Sequence, residues 1–310
     1  MTGTGNDARK AVLVAERISK SFGDVQVLFS VDFDVLPGEV HALMGENGAG
    51  KSTLVKILSG FEQATAGRIL LDGQPVILPP NGAAEALGIV LIHQEFNLAE
   101  HLTVTESLFL GREVTRFGVL DRKFMRAETV RALEQLGSPI DPDALISSLA
   151  VADKQMVEIA KAISRKARIV FMDEPTAVLS REETDVLFAQ VRKLRAQGTS
   201  FVFVSHKLDE GMELTDRVTV LRDGQWVKTA PTAVLDGESI AQLMVGRELS
   251  SLYPTKHEPN VDEEVVLSVK DLSTGYVKHV SFELKKGEVL GFSGLIGSGR
   301  TELMEAVAGL

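Results

Sequence analysis

The sequence predicts an α/β fold: a parallel sheet carrying a phosphate-binding loop, with a helical subdomain inserted into it and the start of a second copy behind it. Three observations predict it. Residues 45–52 read G-E-N-G-A-G-K-S between an apolar run, Val40–Met44, and a helical pattern from Thr53, the strand-loop-helix setting a phosphate loop requires. Ile169–Met172 is an unbroken apolar run, as suits a parallel strand covered on both faces, and Asp173 and Glu174 follow it directly. The loop then returns as G-L-I-G-S-G-R-T at 294–301, a spacing of 249 that also carries Val31, Phe33, Gly38 and Glu39 onto Val280, Phe282, Gly287 and Glu288. A period this long indicates tandem domains and not a solenoid.

In chain order, strands are expected at 12–18, 27–35, 67–71, 89–93, 169–172, 201–204 and 218–222, alternating with helical segments. Residues 103–164 read as largely helical, with 122–136 strongly amphipathic, which gives the inserted subdomain. The first domain is expected over 1–246. Residues 247–264, with Pro254, Pro259 and mixed charge, read as a linker, and 265–310 as the start of the second domain. So short a second unit cannot enclose the core such a domain needs. The sequence therefore predicts a piece of a longer protein, truncated within its second domain.

Composition narrows the function. A net charge of −10 without a basic patch argues against a nucleic-acid partner. The absence of cysteine excludes disulfides and thiol chemistry. No apolar run approaches the roughly 20 residues that span a bilayer, so any membrane role must come through a partner. The phosphate loop supplies the chemistry. Its residues are Gly45, Glu46, Asn47, Gly48, Ala49, Gly50, Lys51, Ser52 and Thr53. The glycines let successive backbone N–H groups face an anion at a helix N-terminus; Lys51 would reach the β- and γ-phosphates, and the Ser52 hydroxyl would ligate Mg²⁺. Asp173 would hold Mg²⁺ through water, and Glu174 would orient and deprotonate an attacking water. Gln94, after the strand at 89–93, could reach the metal and the water; His206, after 201–204, could hold the γ-phosphate; Phe22 could stack on adenine.

The order aromatic, phosphate loop, glutamine, helix-preceding signature, Asp-Glu, histidine resembles that of ABC-transporter ATPases. The likeness is close to the sugar-import subfamily of ribose, xylose and galactose type, whose ATPase carries two nucleotide-binding domains on one chain. Matching segments are G-E-N-G-A-G-K-S-T-L, 93–113, 151–163, F-M-D-E-P-T-A at 171–177, S-H-K-L-D-E at 205–210 and 216–224. The resemblance implies an ABC-type P-loop NTPase domain that hydrolyses ATP to ADP and phosphate with Mg²⁺. It further implies a cytoplasmic protein, peripheral on the inner face of the cell membrane, docked on permease subunits and served indirectly by a sugar-binding protein. The segment after Gln94 and the helical region would meet the permease.

Two departures qualify that expectation. The signature, Leu149, Ala150, Val151, Ala152 and Asp153, lacks the serine hydroxyl that in this family grips the γ-phosphate across a domain pair, and Asp153 stands where glutamine is usual. In the second loop Arg300, before Thr301, replaces lysine, a habit of the subfamily; its planar fork is no simple substitute for an ammonium. That composite site is expected to bind poorly or hydrolyse nothing. The better site needs a signature beyond Leu310, so slow hydrolysis alone is expected, with a homodimer through the nucleotide face as one possible completion. The alternative is a nucleotide-binding docking module with little hydrolysis. A permease-free ABC ATPase fits the acidic balance poorly, and a P-loop kinase would need a second-substrate motif that the chain does not display.

Overall fold

A computed structural model describes residues 10–78, 83–93, 97–246, 264–294 and 297–309. The chain divides into two compact units, 1–249 and 250–310. The first unit opens with β1 (Leu13–Phe22), β2 (Val25–Val35), β3 (Val40–Met44), α1 (Lys51–Leu58), β4 (Ala66–Leu71), β5 (Gln74–Val76), α2 (Ala83–Ala86) and β6 (Ile89–Ile92). The inserted subdomain follows with α3 (Val104–Phe109), β7 (Thr115–Arg116), β8 (Val119–Leu120), α4 (Arg122–Leu136) and α5 (Val151–Ser164). The core resumes with β9 (Ile169–Asp173), α6 (Arg181–Ala196), β10 (Ser200–Ser205), α7 (Leu208–Leu214), β11 (Arg217–Arg222), β12 (Gln225–Pro231) and α8 (Gly237–Val245).

The main sheet runs in the order β12-β11-β3-β10-β9-β6, parallel except at the β12 edge. Its central strands β3, β10 and β9 are buried along their whole length because each face has its own core. In β10, Phe201 and Phe203 join the cluster under α6 and the helical subdomain, while Val202 and Val204 join the one under α1. Phe203 meets Phe188 of α6 edge-on at 5.8 Å, and burying each such ring contributes about 1.5–3 kcal/mol.

The strands at 12–18, 27–35 and 67–71 lie elsewhere, in a separate antiparallel sheet of order β2-β1-β4-β5. Two smaller differences follow from turn chemistry. The stretch 103–164 is broken by the β7–β8 hairpin, whose two-residue turn puts Phe117 and Gly118 at φ 55° and 79°. β12 pairs back onto β11 through the Asp223-Gly224 turn, and helical periodicity carries no signal for either device.

The second unit contains β13 (Val265–Leu272), β14 (Val280–Lys285) and α9 (Arg300–Ala308). Its hairpin repeats the local geometry of β1–β2. Arg17 and Ser30 occupy left-handed backbone in the first, Asp271 and His279 in the second. Arg17 N donates to Asp32 and Ser30 N to the Ser19 hydroxyl; correspondingly Asp271 N donates to Ser281 and His279 N to the Ser273 hydroxyl. Glu39 accepts from Leu36 N as Glu288 does from Lys285 N. Residues 289–293, which lie 249 positions after β3, form no strand, and Val289 is 98% exposed.

Candidate nucleotide site

The sheet order gathers the candidate residues. β3, β10 and β9 are consecutive parallel neighbours, and their C-terminal ends deliver the phosphate loop, His206 and the Asp173-Glu174 pair to one edge, where open α/β sheets bind ligands. Gln94 follows β6, the next strand in that order, and lies outside the described residues.

The loop has the build of an anion cradle. α1 follows its N-cap Gly50 with no side-chain cap and no acid in its first turn, as an anion site at a helix N-terminus requires. α3, α4, α6 and α8 by contrast begin with side-chain caps from Thr103, Asp121, Ser180 and Asp236. Gly50 sits at φ 93°, and a Cβ there would lie 2.6 Å from Leu28. A Cβ on Gly45 would come within 2.3 Å of the Leu221 carbonyl oxygen, so that flank must stay bare. Gly48 has nothing within 4 Å of its Cβ position, which leaves the loop open on that side. The opening leads into a cavity of about 380 Å³ lined by Val27, Asn47, Gly48, Gly50, Lys51, Ser52, Thr53 and Glu174. A larger cavity of about 1140 Å³, lined by Asp34, Glu39, Arg217 and Trp226 among others, holds none of the candidate residues.

Electrostatics concentrate at this opening. Lys51 is buried, its Nζ donating to the carbonyl oxygens of Gly45 and Glu46 at 2.9 and 3.0 Å. Burial pulls its pKa down, while Glu174 and Asp173 oppose that shift. Asp173 is also buried, and burial pushes its carboxyl above the ordinary range against the hydrogen bond from Ser52, which is 3.3 Å away. A hydroxyl and a carboxylate side by side are the hard oxygen donors that Mg²⁺ takes, so these two residues fit the metal. Glu174 holds left-handed backbone at φ 48°, unusual for a residue with a side chain, and its carboxylate accepts from His206 Nδ1 at 3.0 Å.

Other candidates stay outside this constellation. Phe22 is half-exposed at the end of β1 with the Lys20 ammonium 4.6 Å from its ring, and is not among the cavity's lining residues. Leu149 and the N-cap Ala150 lead into α5, whose first turn holds Val151, Ala152 and Asp153; the helix has no side-chain cap, and none of the five residues lines the cavity. Arg300 and Thr301 open α9 behind Gly299 at φ 83°, again with no side-chain cap. The sequence reading gave no role to Val27, Thr176, Ser205, Lys207 or Glu210. The last four form a hydrogen-bonded cluster next in sequence to Glu174 and His206, and their signals were the F-M-D-E-P-T-A segment for Thr176 and the S-H-K-L-D-E segment for the other three.

Fold and site define an ATP-binding cassette. Residues 28–177 match the family model described as ABC transporter, and this part of the chain belongs to that family. A nucleotide-binding domain of this kind therefore occupies the first unit. Among solved structures, the ADP form of an ATP-binding cassette of an ABC transporter is 25% identical with a TM-score of 0.67, covering 79% of this chain and 98% of that one. A nucleotide-free cassette gives 25% and 0.66, covering 77% and 96%. The chain is 50% identical over 293 residues to a ribose import ATP-binding protein of Rubrobacter xylanophilus, covering 94% of this chain and 59% of that protein. It is 47% identical to a putative ribose/galactose/methyl galactoside import ATP-binding protein of Agrobacterium fabrum, covering 97% and 60%. The chain thus spans about three-fifths of the length of these relatives.

Proposed function

We propose that this chain is the ATP-binding and ATP-hydrolysing part of an ABC importer for ribose or a related small polar solute. The observation that carries the reading is the convergence of Lys51, Ser52, Asp173, Glu174 and His206 at the ends of three adjacent strands. The names of the ribose-import relatives support the substrate class. In this reading the N–H groups of 45–53 and the Lys51 ammonium receive the phosphates, Lys51 exchanging two carbonyl partners for phosphate oxygens. Ser52 and Gln94 would hold Mg²⁺, with Asp173 holding it through water, and the metal would supply neutralisation of phosphate charge. Glu174 takes a proton from the attacking water. The Glu174 carboxylate only accepts, so a His206 Nδ1 proton points to it, and His206 would hold a γ-phosphate oxygen only through a further proton on its second nitrogen. Phe22 is assigned to adenine.

We further propose domains at 1–246 and 265–310, the latter beginning a second cassette; the matched bulges and hydrogen bonds of the two hairpins support that repeat. Leu149–Asp153 would serve a nucleotide bound elsewhere, in keeping with their absence from this cavity, and Ala150 and Arg300 make that other site the weaker one. No helix among the described residues is long and apolar enough to cross a membrane, so the chain would sit peripherally on permease subunits at the cytoplasmic face. Self-association through the nucleotide face is the other way to complete the site. ATP hydrolysis with and without permease subunits, at low and high protein concentration, tests this. Permease-stimulated turnover is expected; permease docking and MgATP binding with no hydrolysis under any condition would favour a docking module.

A further inference from the structure

We propose that Glu210 is a positioning residue that sets the Glu174–His206 pair, an inference that rests on the catalytic reading above. Glu210 is 6% exposed and lies in the first turn of α7. Its Oε2 accepts from Thr176 Oγ1 at 2.5 Å and from Ser205 Oγ at 3.4 Å, and its Oε1 accepts from Lys207 Nζ at 2.9 Å. Lys207 Nζ also donates to the Thr176 carbonyl at 3.1 Å, and Lys207 N donates to Ser205 Oγ at 3.0 Å. Thr176 lies two residues beyond Glu174, and Ser205 and Lys207 flank His206. One buried carboxylate therefore ties Thr176, in the loop after β9 and 34 residues away, to Ser205 and Lys207 on either side of His206.

The backbone at Glu174 is already tied to β10, its N–H donating to the Val204 carbonyl at 3.0 Å, and the clamp adds the side-chain tie between the two loops. Glu174 leaves β9 in left-handed backbone, a conformation that persists only where its surroundings enforce it. His206 lies beyond the end of β10 and is exposed. The clamp itself is anchored to the phosphate-loop strand. A Cβ on Gly211 would lie 2.9 Å from Met44 Sδ, so α7 rests directly against the end of β3. Glu210 thus registers the proton-accepting loop and the histidine loop against the strand that carries Lys51.

The test uses the purified chain in four forms: wild type, Glu210→Ala, Glu210→Gln and Glu174→Gln. MgATP affinity is measured at equilibrium and hydrolysis in a single turnover. A misplacement of about 1 Å costs on the order of 10²-fold in rate, so Glu210→Ala should lose about 10- to 100-fold in the chemical step. Affinity should stay within about twofold, since the phosphate loop is untouched. Glu210→Gln keeps an acceptor for Thr176 and should recover part of the rate. The His206 imidazole NMR signal gives an independent reading: it should respond to Glu174→Gln in the wild-type background and cease to respond when Glu210→Ala is added. Should Glu210→Ala fail to fold, Lys207→Met removes one arm of the clamp and should shift rate and signal the same way by less. Near wild-type turnover in Glu210→Ala with an unaltered imidazole response overturns the inference, as does a loss of rate matched by an equal loss of affinity. If Glu174→Gln itself hydrolyses normally, the catalytic reading fails, and the clamp stands or falls on the imidazole signal alone.

Discussion

His206 Nδ1 sits 3.0 Å from Glu174 Oε1, across the ends of the neighbouring parallel strands β10 and β9. That pairing joins a group able to accept a proton to one able to hold phosphate charge, and the strand order puts both beside the loop that carries Lys51. Phosphoryl transfer needs such positioning and charge stabilisation more than covalent help.

Lys51→Ala should abolish nucleotide-dependent stabilisation. At 100 times its dissociation constant, MgATP stabilises a binding-competent fold by about 2.7 kcal/mol, or about 2–4 °C per kcal/mol for a domain of this size. A thermal melt with and without MgATP should show that shift in the wild type and none in Lys51→Ala, with the two unliganded melts close together.

The Asp173 carboxyl gives a pH signature of its own. Burial raises its pKa in the folded state, so the stability present below the unfolded value is lost as pH rises through the folded value. Asp173→Asn removes that loss. Urea unfolding of both proteins across the carboxylate range should show the difference growing in the variant's favour as pH rises and then levelling off above the raised value. The same variant should bind MgATP less well, since an amide is a poorer Mg²⁺ ligand than a carboxylate.

Gly48 and Gly50 should respond unequally to alanine. Both are left-handed, at φ 85° and 93°, but only Gly50 lacks room for a methyl group. Gly48→Ala should cost about 1–2 kcal/mol from backbone strain. Gly50→Ala should cost more, because its Cβ would drive into Leu28, and denaturant midpoints would measure the difference.

What the sequence made legible was local. The phosphate loop declares itself because glycine spacing, Lys51 and Ser52 are fixed by the ligand's geometry within a few residues. Ile169–Met172 declares itself because a strand buried on both faces has nowhere to put a polar side chain before Asp173. The same logic placed the strand runs ending before Glu174 and His206, although only the sheet order brings those two ends together. Long-range pairing was not legible: the partition into an antiparallel sheet and a parallel one depends on which strand meets which, and residues 12–35 read the same in either. The Glu210 cluster was equally hidden. A glutamate in the first turn of a helix looks like a response to the helix dipole until Thr176 is found against it from across the sheet.

The most direct test of the account is single-turnover hydrolysis of bound MgATP by wild type and by Glu174→Gln, with nucleotide occupancy measured in the same samples. The account predicts equal occupancy, with a rate about 10²- to 10⁴-fold lower in the variant, the range a general base contributes. Equal rates at equal occupancy would contradict it, because the proton would then leave the attacking water by a route that does not pass through Glu174.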